Sequence, residues 1–221
     1  MSKVITHSGG TTSEVITHSG GTMSEVITHK ERTRQRILEE AAAIMRVVGT
    51  EGIGVAALMK RVGLTHGGFY AHFASRDDLV ANVVDRMFTE TRERLQAYSS
   101  LPEGEERLCR LIDVYLSSEA RNSPAQSCPM PSLCGEASRL PEEARNRFTL
   151  GIEDMHGLIF RSLKAMDKEL PEALATSAQA EMIGAMALAR AVKDEVKAEQ
   201  ILADSRNQLK QRLGIAGGSH G

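Results

Sequence analysis

Along most of this chain apolar residues recur every three or four positions, the period of a helix with one buried face. Across residues 33–48, Ile37, Leu38, Ala41, Ile44, Met45 and Val48 form one stripe, with Arg34, Glu39 and Arg46 off it. Gly49 stands where such a helix would be capped. A short second helix is expected over 55–62, with Leu58 and Val62 inward, Lys60 and Arg61 outward, and Gly63 stopping it. Thr65 is placed to cap a third, very short helix over 66–73. Ser75 with Asp78 three residues on reads as a capping box opening a long helix, whose buried side carries Leu79, Val80, Val83, Val84, Met87 and Phe88.

Further on, 105–118 is amphipathic through Leu108, Leu111, Ile112 and Leu116, and a proline-rich segment, 123–131, breaks the pattern. Pro141 fits the first turn of a helix in which Phe148, Ile152, Met155, Ile159 and Leu163 stack. Pro171 opens an alanine-rich helix to about 192, and a last helix over 194–213 precedes a glycine-rich tail. No stretch alternates as a strand would. The expected fold is all-α: an N-terminal three-helix helix-turn-helix unit and a C-terminal helical bundle.

Composition agrees. Trp is absent and aromatic residues make up 4% of the chain, so Leu, Ile, Val, Met and Ala must fill the core, which suits packed helices. No apolar run approaches a membrane span and the N-terminus lacks the order of a signal peptide, so a cytoplasmic protein without membrane contact is expected. Three cysteines with no CxxC or Cys/His ligand spacing point to a reducing compartment and no metal site. Nothing in the sequence calls for a cofactor. Net charge is −2, but residues 30–76 hold eight basic side chains against four acidic ones, a balance of +4 that leaves −6 elsewhere. A basic module on an acidic body is what a chain shows when one end meets phosphate; a solvated helix face is the alternative.

The first residues repeat with a period of eleven, as Ser2, Ser13 and Ser24 each open a copy of Ser-x-Val-Ile-Thr-His. This is too short and too rich in Gly, Ser and Thr for a solenoid unit. Met23 stands where the third copy begins, so an ancestral start there, with the upstream copies a duplication, is the expectation. His7, His18 and His29 recur with the repeat, but a tail with one histidine per copy offers no fixed metal geometry. The expected layout is a disordered arm (1–29), a basic helical head (30–78), a helical body (79–213) and a flexible tail (214–221).

Two short helices joined by a tight turn at Gly63-Leu64 have the form of a helix-turn-helix. Gly67-Gly68 is poor for helix stability, at about 1 kcal/mol each relative to Ala. Close approach to the major groove or a phosphate would explain it. The run Gly63-Leu-Thr-His-Gly-Gly-Phe-Tyr-Ala-His-Phe-Ala-Ser-Arg-Asp-Asp-Leu79 resembles the signature of the TetR (tetracycline repressor) family, and Ile37-Leu-x-x-Ala-Ala with Gly52-Ile53 fits its first helix and turn. The resemblance implies that Thr65 caps the recognition helix and touches phosphate, and that His66, Gly67 and Gly68 face bases. Tyr70, His72 and Arg76 would bond phosphate, with Thr33 and Arg34 adding backbone contacts. Phe69 and Phe73 would pack the head. Gly54 departs from the family's hydroxyl at the second helix's N-cap, so that contact is either lost or supplied by its amide. A structural hydrogen bond inside the head is the alternative for Tyr70 and His72.

By resemblance the rest is a ligand-binding and dimerisation bundle: a homodimeric repressor on a palindromic operator in double-stranded DNA, released by a small-molecule effector. An activator of the same fold, or a helical interaction module that keeps the head, remains open. An enzyme is not expected, for want of a nucleophile elbow, phosphate loop or HExxH. Ala178, Met182, Ala185 and Ala189 line a stripe for a partner helix or for an ordinary core. Phe148, Ile152, Met155, Ile159 and Phe160, with His156 and Glu153 as polar handles, form a candidate pocket wall or plain core. Cys128 and Cys134, near a helix start, are candidates for a redox or electrophile sensor, with inert thiols as the alternative.

Overall fold

In the computed structural model, which describes residues 28–96 and 100–215, nine α-helices and three short 3-10 segments account for the regular structure, and no strand occurs among the described residues. The head contains α1 (His29–Val48), α2 (Val55–Arg61) and a 3-10 recognition segment (His66–Ala71). The long helix α3 (Arg76–Gln96) runs from it into the body. There follow α4 (Glu105–Tyr115), α5 (Ser118–Asn122), α6 (Met130–Leu133), α7 (Glu142–Ala165), α8 (Pro171–Ala191) and α9 (Glu195–Leu213). In the body α3 packs on α7, α7 on α8, and α8 on α9.

Local chemistry sets the ends. Helix α1 starts earlier than its apolar stripe indicates, at Thr28, whose hydroxyl accepts from Glu31 N while the Glu31 carboxylate accepts from Thr28 N. Of the three copies of the repeat only the last continues Thr-His-Lys-Glu, so only it can close this box. The expected arm therefore gives up Thr28 and His29 to the helix, and the remainder, 1–27, lies outside the described residues, as do 216–221 of the tail. At α3 the Ser75 hydroxyl accepts from Asp78 N, and the Asp78 carboxylate reaches back one residue further than in the usual box, to Ala74 N. Helix α9 is capped by Asp194, which accepts from Val196 N and Lys197 N.

One apolar cluster runs through the whole described chain. The head has no gap separating it from the body: α1 packs on α3 and on the 3-10 turn Pro124–Gln126. A boundary at 78/79 thus cuts the first turn of a continuous helix. Arg46, on the polar side of the α1 stripe by sequence, is 2% exposed. Its guanidinium donates to Ala125 O and Met87 O and pairs with Glu90 at 2.7 Å, because α3 and the 124–126 turn cover that side of α1. From the body, the Glu136 carboxylate accepts from both Thr50 N and the Thr50 hydroxyl in the turn after α1.

Candidate nucleic-acid interface

Gly63 makes the helix-turn-helix turn possible. Its φ is +73°, its N–H donates to Lys60 O, and Leu64 N donates to Met59 O. These paired bonds form a Schellman motif, which ends α2 within one residue and needs a left-handed position that favours glycine. The chain then re-enters a helix of 3-10 form, with Gly68 N bonded to Thr65 O and His72 N to Phe69 O. Phe69 and Phe73 are buried and stacked, ring centroids 5.4 Å apart, which anchors the segment.

The opposite side faces outward. Thr65, His66, Gly67 and Tyr70 are exposed, Tyr70 at 67%, beside the exposed Lys60 and Arg61. Thr65 holds the N-cap position, its carbonyl accepting from Gly68 N, but its side chain makes no capping bond, contrary to the capping role expected of it. A Cβ added at Gly67 would meet nothing within 4 Å, and one at Gly68 nothing nearer than 3.6 Å. The chain's own packing therefore does not require these glycines. Gly54, at the N-cap of α2, is likewise open.

His72 sits near Lys30 and Arg34, and its Nδ1 is buried without a hydrogen-bond partner. Burial first, then these two cations, hold its imidazole below its ordinary pKa, so a third positive charge there is disfavoured until an anion arrives. Arg34 also lies over the Phe73 ring, 4.9 Å from its centroid. Lys30, which stands at the start of the basic stretch, belongs to this cationic group. Two expected contacts are placed elsewhere. Thr33 is buried and its hydroxyl donates to His29 O, the usual back-bond of an i−4 threonine. Arg76 is bound to Glu51 at 2.8 Å and to Thr50 O at 2.7 Å, tying α3 to the turn after α1.

In the body, a cavity of about 550 Å³ opens between α3, α4, α7, α8 and the 123–131 segment. Of the five residues expected to line a pocket, only Met155 borders it. Phe148 packs edge-on against Phe88, Ile159 is fully buried, and Ile152 is partly exposed away from the cavity. His156 Nε2 lies 3.2 Å from the Thr176 hydroxyl on α8. The lining comes instead from residues on several elements, among them Tyr115, Arg94 and Arg190, which no single-helix stripe reveals.

The dimer stripe also needs correction. Ala178, Met182, Ala185 and Ala189 lie inside the protomer, so they are core; α8 turns Ala173, Ser177, Ala180 and Leu188 outward. Neither thiol is acidified, which favours the inert alternative over the sensor. Cys128 is buried and Cys134 exposed at its surface, and desolvation raises both pKa values. The helix that follows Cys128 has only four residues, too few dipoles to offset burial. Among the described residues no His/Cys/Asp/Glu group could hold a metal ion, and no helix is long and apolar enough to cross a membrane.

Residues 37–83 match the family model for bacterial regulatory proteins of the tetR family. No curated protein sequence matches the chain. Among solved structures, a TetR transcriptional regulator from Chloroflexus aurantiacus J-10-FL superimposes with a TM-score of 0.73 at 24% identity, covering 84% of this chain and 96% of that one. The reduced form of NemR from E. coli gives 0.71 at 20% identity, covering 81% and 96%. AibR, solved in complex with isovaleryl coenzyme A and operator DNA, gives 0.60 at 16%, covering 80% and 97%. Such identities establish likeness of fold across head and body, while the head carries the sequence pattern itself. The match over 37–83 and the likeness of fold over head and body agree: the chain carries a TetR-type N-terminal domain and is similar in fold to TetR-family regulators.

Proposed function

We propose that this chain is a transcriptional repressor that binds a palindromic DNA operator as a homodimer and leaves it when a small molecule fills the body cavity. The observation that carries the DNA reading is the bare surface at Gly67. Two adjacent glycines weaken a short helix, internal packing has room for a side chain at both, and exposed hydroxyl, imidazole, phenol and lysine groups surround them. A helix end with no Cβ lets the backbone approach base edges, while Thr65, Tyr70 and the Lys30–Arg34–His72 group take phosphates. The solved complex of AibR with operator DNA is a precedent in the same fold.

Gly67→Ala tests this. The variant should fold with unchanged thermal stability, or slightly raised stability, and lose affinity for the operator by about tenfold or more, read by fluorescence anisotropy on the DNA flanking its gene. Unchanged affinity, or wild-type binding that ignores salt concentration, would remove the basis for the reading.

Dimerisation follows from the outward face of α8 and α9. Ala173, Ser177, Ala180 and Gly184 let a partner helix approach closely, and Leu188 and Val196 are 61% and 80% exposed. Two heads on a two-fold axis would meet half-sites about 34–36 Å apart. Release would pass through the 123–131 segment. Gln126, Ser127 and Cys128 border the cavity, while the neighbouring Ala125 carbonyl holds Arg46 of α1. A ligand that favours a different position of this segment would shift α1 and change the separation of the heads.

A further inference from the structure

The charged groups around the body cavity are unequally committed. Its acidic side chains are Asp113, Asp154 and Glu119. Asp113 is paired with Lys210 at 2.6 Å and Asp154 with Arg92 at 2.7 Å, and Glu119 is exposed to solvent. On the basic side, Arg190 has neutral partners: it donates to Ala120 O at 2.8 Å and to the Ser132 hydroxyl at 3.2 Å, and its Nε is buried with no partner. Arg94 also lines the cavity, from its exposed edge, with Glu90 and Glu93 near it. The Tyr115 hydroxyl is buried there too, beside the Cys128 thiol but with no hydrogen bond of acceptable geometry. Arg94, Arg190, Tyr115 and Cys128 all border this one cavity.

An unpaired guanidinium in a desolvated wall is costly, as is a buried hydroxyl with nothing to bond. For Arg190, desolvation lowers the pKa, in keeping with a guanidinium whose hydrogen-bond partners are neutral. Phe88, Leu95, Leu111, Val114, Leu158 and Met186 supply an apolar side to the wall, while Thr91, Ser117, Ser123, Gln126 and Ser127 add neutral polar groups. A planar anion suits the guanidinium fork, and the neutral phenol has a proton to donate.

We propose that the ligand of this cavity is an amphipathic carboxylate, its anionic head bound by Arg190 and the Tyr115 hydroxyl in the positive field of Arg94, and its hydrocarbon body laid on the Phe88–Leu111–Met186 side. This rests on the cavity being the effector site and names the chemistry that site selects. A volume of about 550 Å³ suits a medium-chain or aryl-substituted acid.

The test uses the full chain without DNA, so that its outcome is independent of operator binding. Straight-chain acids from hexanoate to dodecanoate and phenyl-substituted butyrate are titrated by calorimetry and thermal shift, against decanol and decylamine. At least one acid should bind, with decanoate about tenfold or more tighter than decanol and decylamine weaker still. Tyr115→Phe removes a hydroxyl that has no internal partner, so it should leave the melting temperature unchanged or higher. It should also weaken decanoate about fivefold to tenfold and leave decanol unaffected. Arg190→Gln should abolish the preference for the acid. The proposal is overturned if no acid in the series binds, if decanol or decylamine binds as tightly as decanoate, or if Tyr115→Phe weakens acid and alcohol alike. Loss of acid binding with intact operator binding would sink this inference alone; the converse would sink the DNA reading alone.

Discussion

Single atoms decide several properties of this protein. Gly151 on α7 has no Cβ because the Phe88 ring of α3 occupies that space, so Gly151→Ala must push the ring or part the helices. Overpacking of this kind costs about 1–3 kcal/mol. Urea unfolding should show a loss of that size, and because Phe88 also borders the cavity, ligand affinity should fall with it. His72 gives the head a pH dependence. Its folded pKa is lowered by burial, Lys30 and Arg34, so below about 6.5 the unfolded chain binds a proton that the folded head resists. Stability from this group is therefore complete above that value and declines as pH falls toward the lowered folded value. Melting curves at pH 7.5 and 5.5 should separate less for His72→Gln than for the wild type. An equal separation would mean that other groups govern it.

Between elements, polar contacts away from the apolar stripes join head to body, two of them buried at one end. Arg46 reaches from α1 to Ala125 O, Met87 O and Glu90, and Glu136 reaches from the body to Thr50. Thr50 is buried, so Glu136→Ala strands its N–H and hydroxyl and should destabilise the chain by about 1–3 kcal/mol. The same variant should bind cavity ligands with near wild-type affinity, since Glu136 does not border the cavity, while the ligand's effect on operator affinity shrinks. Calorimetry paired with anisotropy separates the two quantities. The helices were legible in sequence because capping, glycine stops and apolar period act within a few residues. Gly63, Ser75 with Asp78, and Pro171 mark their boundaries. The start of α1 was legible too, in Thr28-x-x-Glu31, but the repeat that precedes it masks the signal.

At the scale of the molecule, the head and the body share α3 and one core, so a change in the body has a rigid path to the DNA side. The proposed dimer is tested at this scale. Leu188→Glu places a charge on the outward face of α8 without touching the protomer core, and should leave helicity and melting of the protomer near normal. Sedimentation velocity should then show a monomer, with operator affinity reduced to that of one half-site. A variant that stays dimeric would move the interface away from this face.

By itself the sequence determined the helical class, the helix-turn-helix and the residues of the recognition segment, since these depend on neighbours a few positions apart. Tertiary structure alone decided the rest. Alanine populates both sides of α8, so only packing against α7 and α9 says that Ala178 and Ala185 are core while Ala173 and Ala180 face out. Burial of Arg46, the raised thiol pKa values of Cys128 and Cys134, and a cavity joining Tyr115 to Arg190 all arise from elements tens of residues apart. Desolvation depends on what covers a group, and that covering is set by the assembled chain, not by the local order of residues.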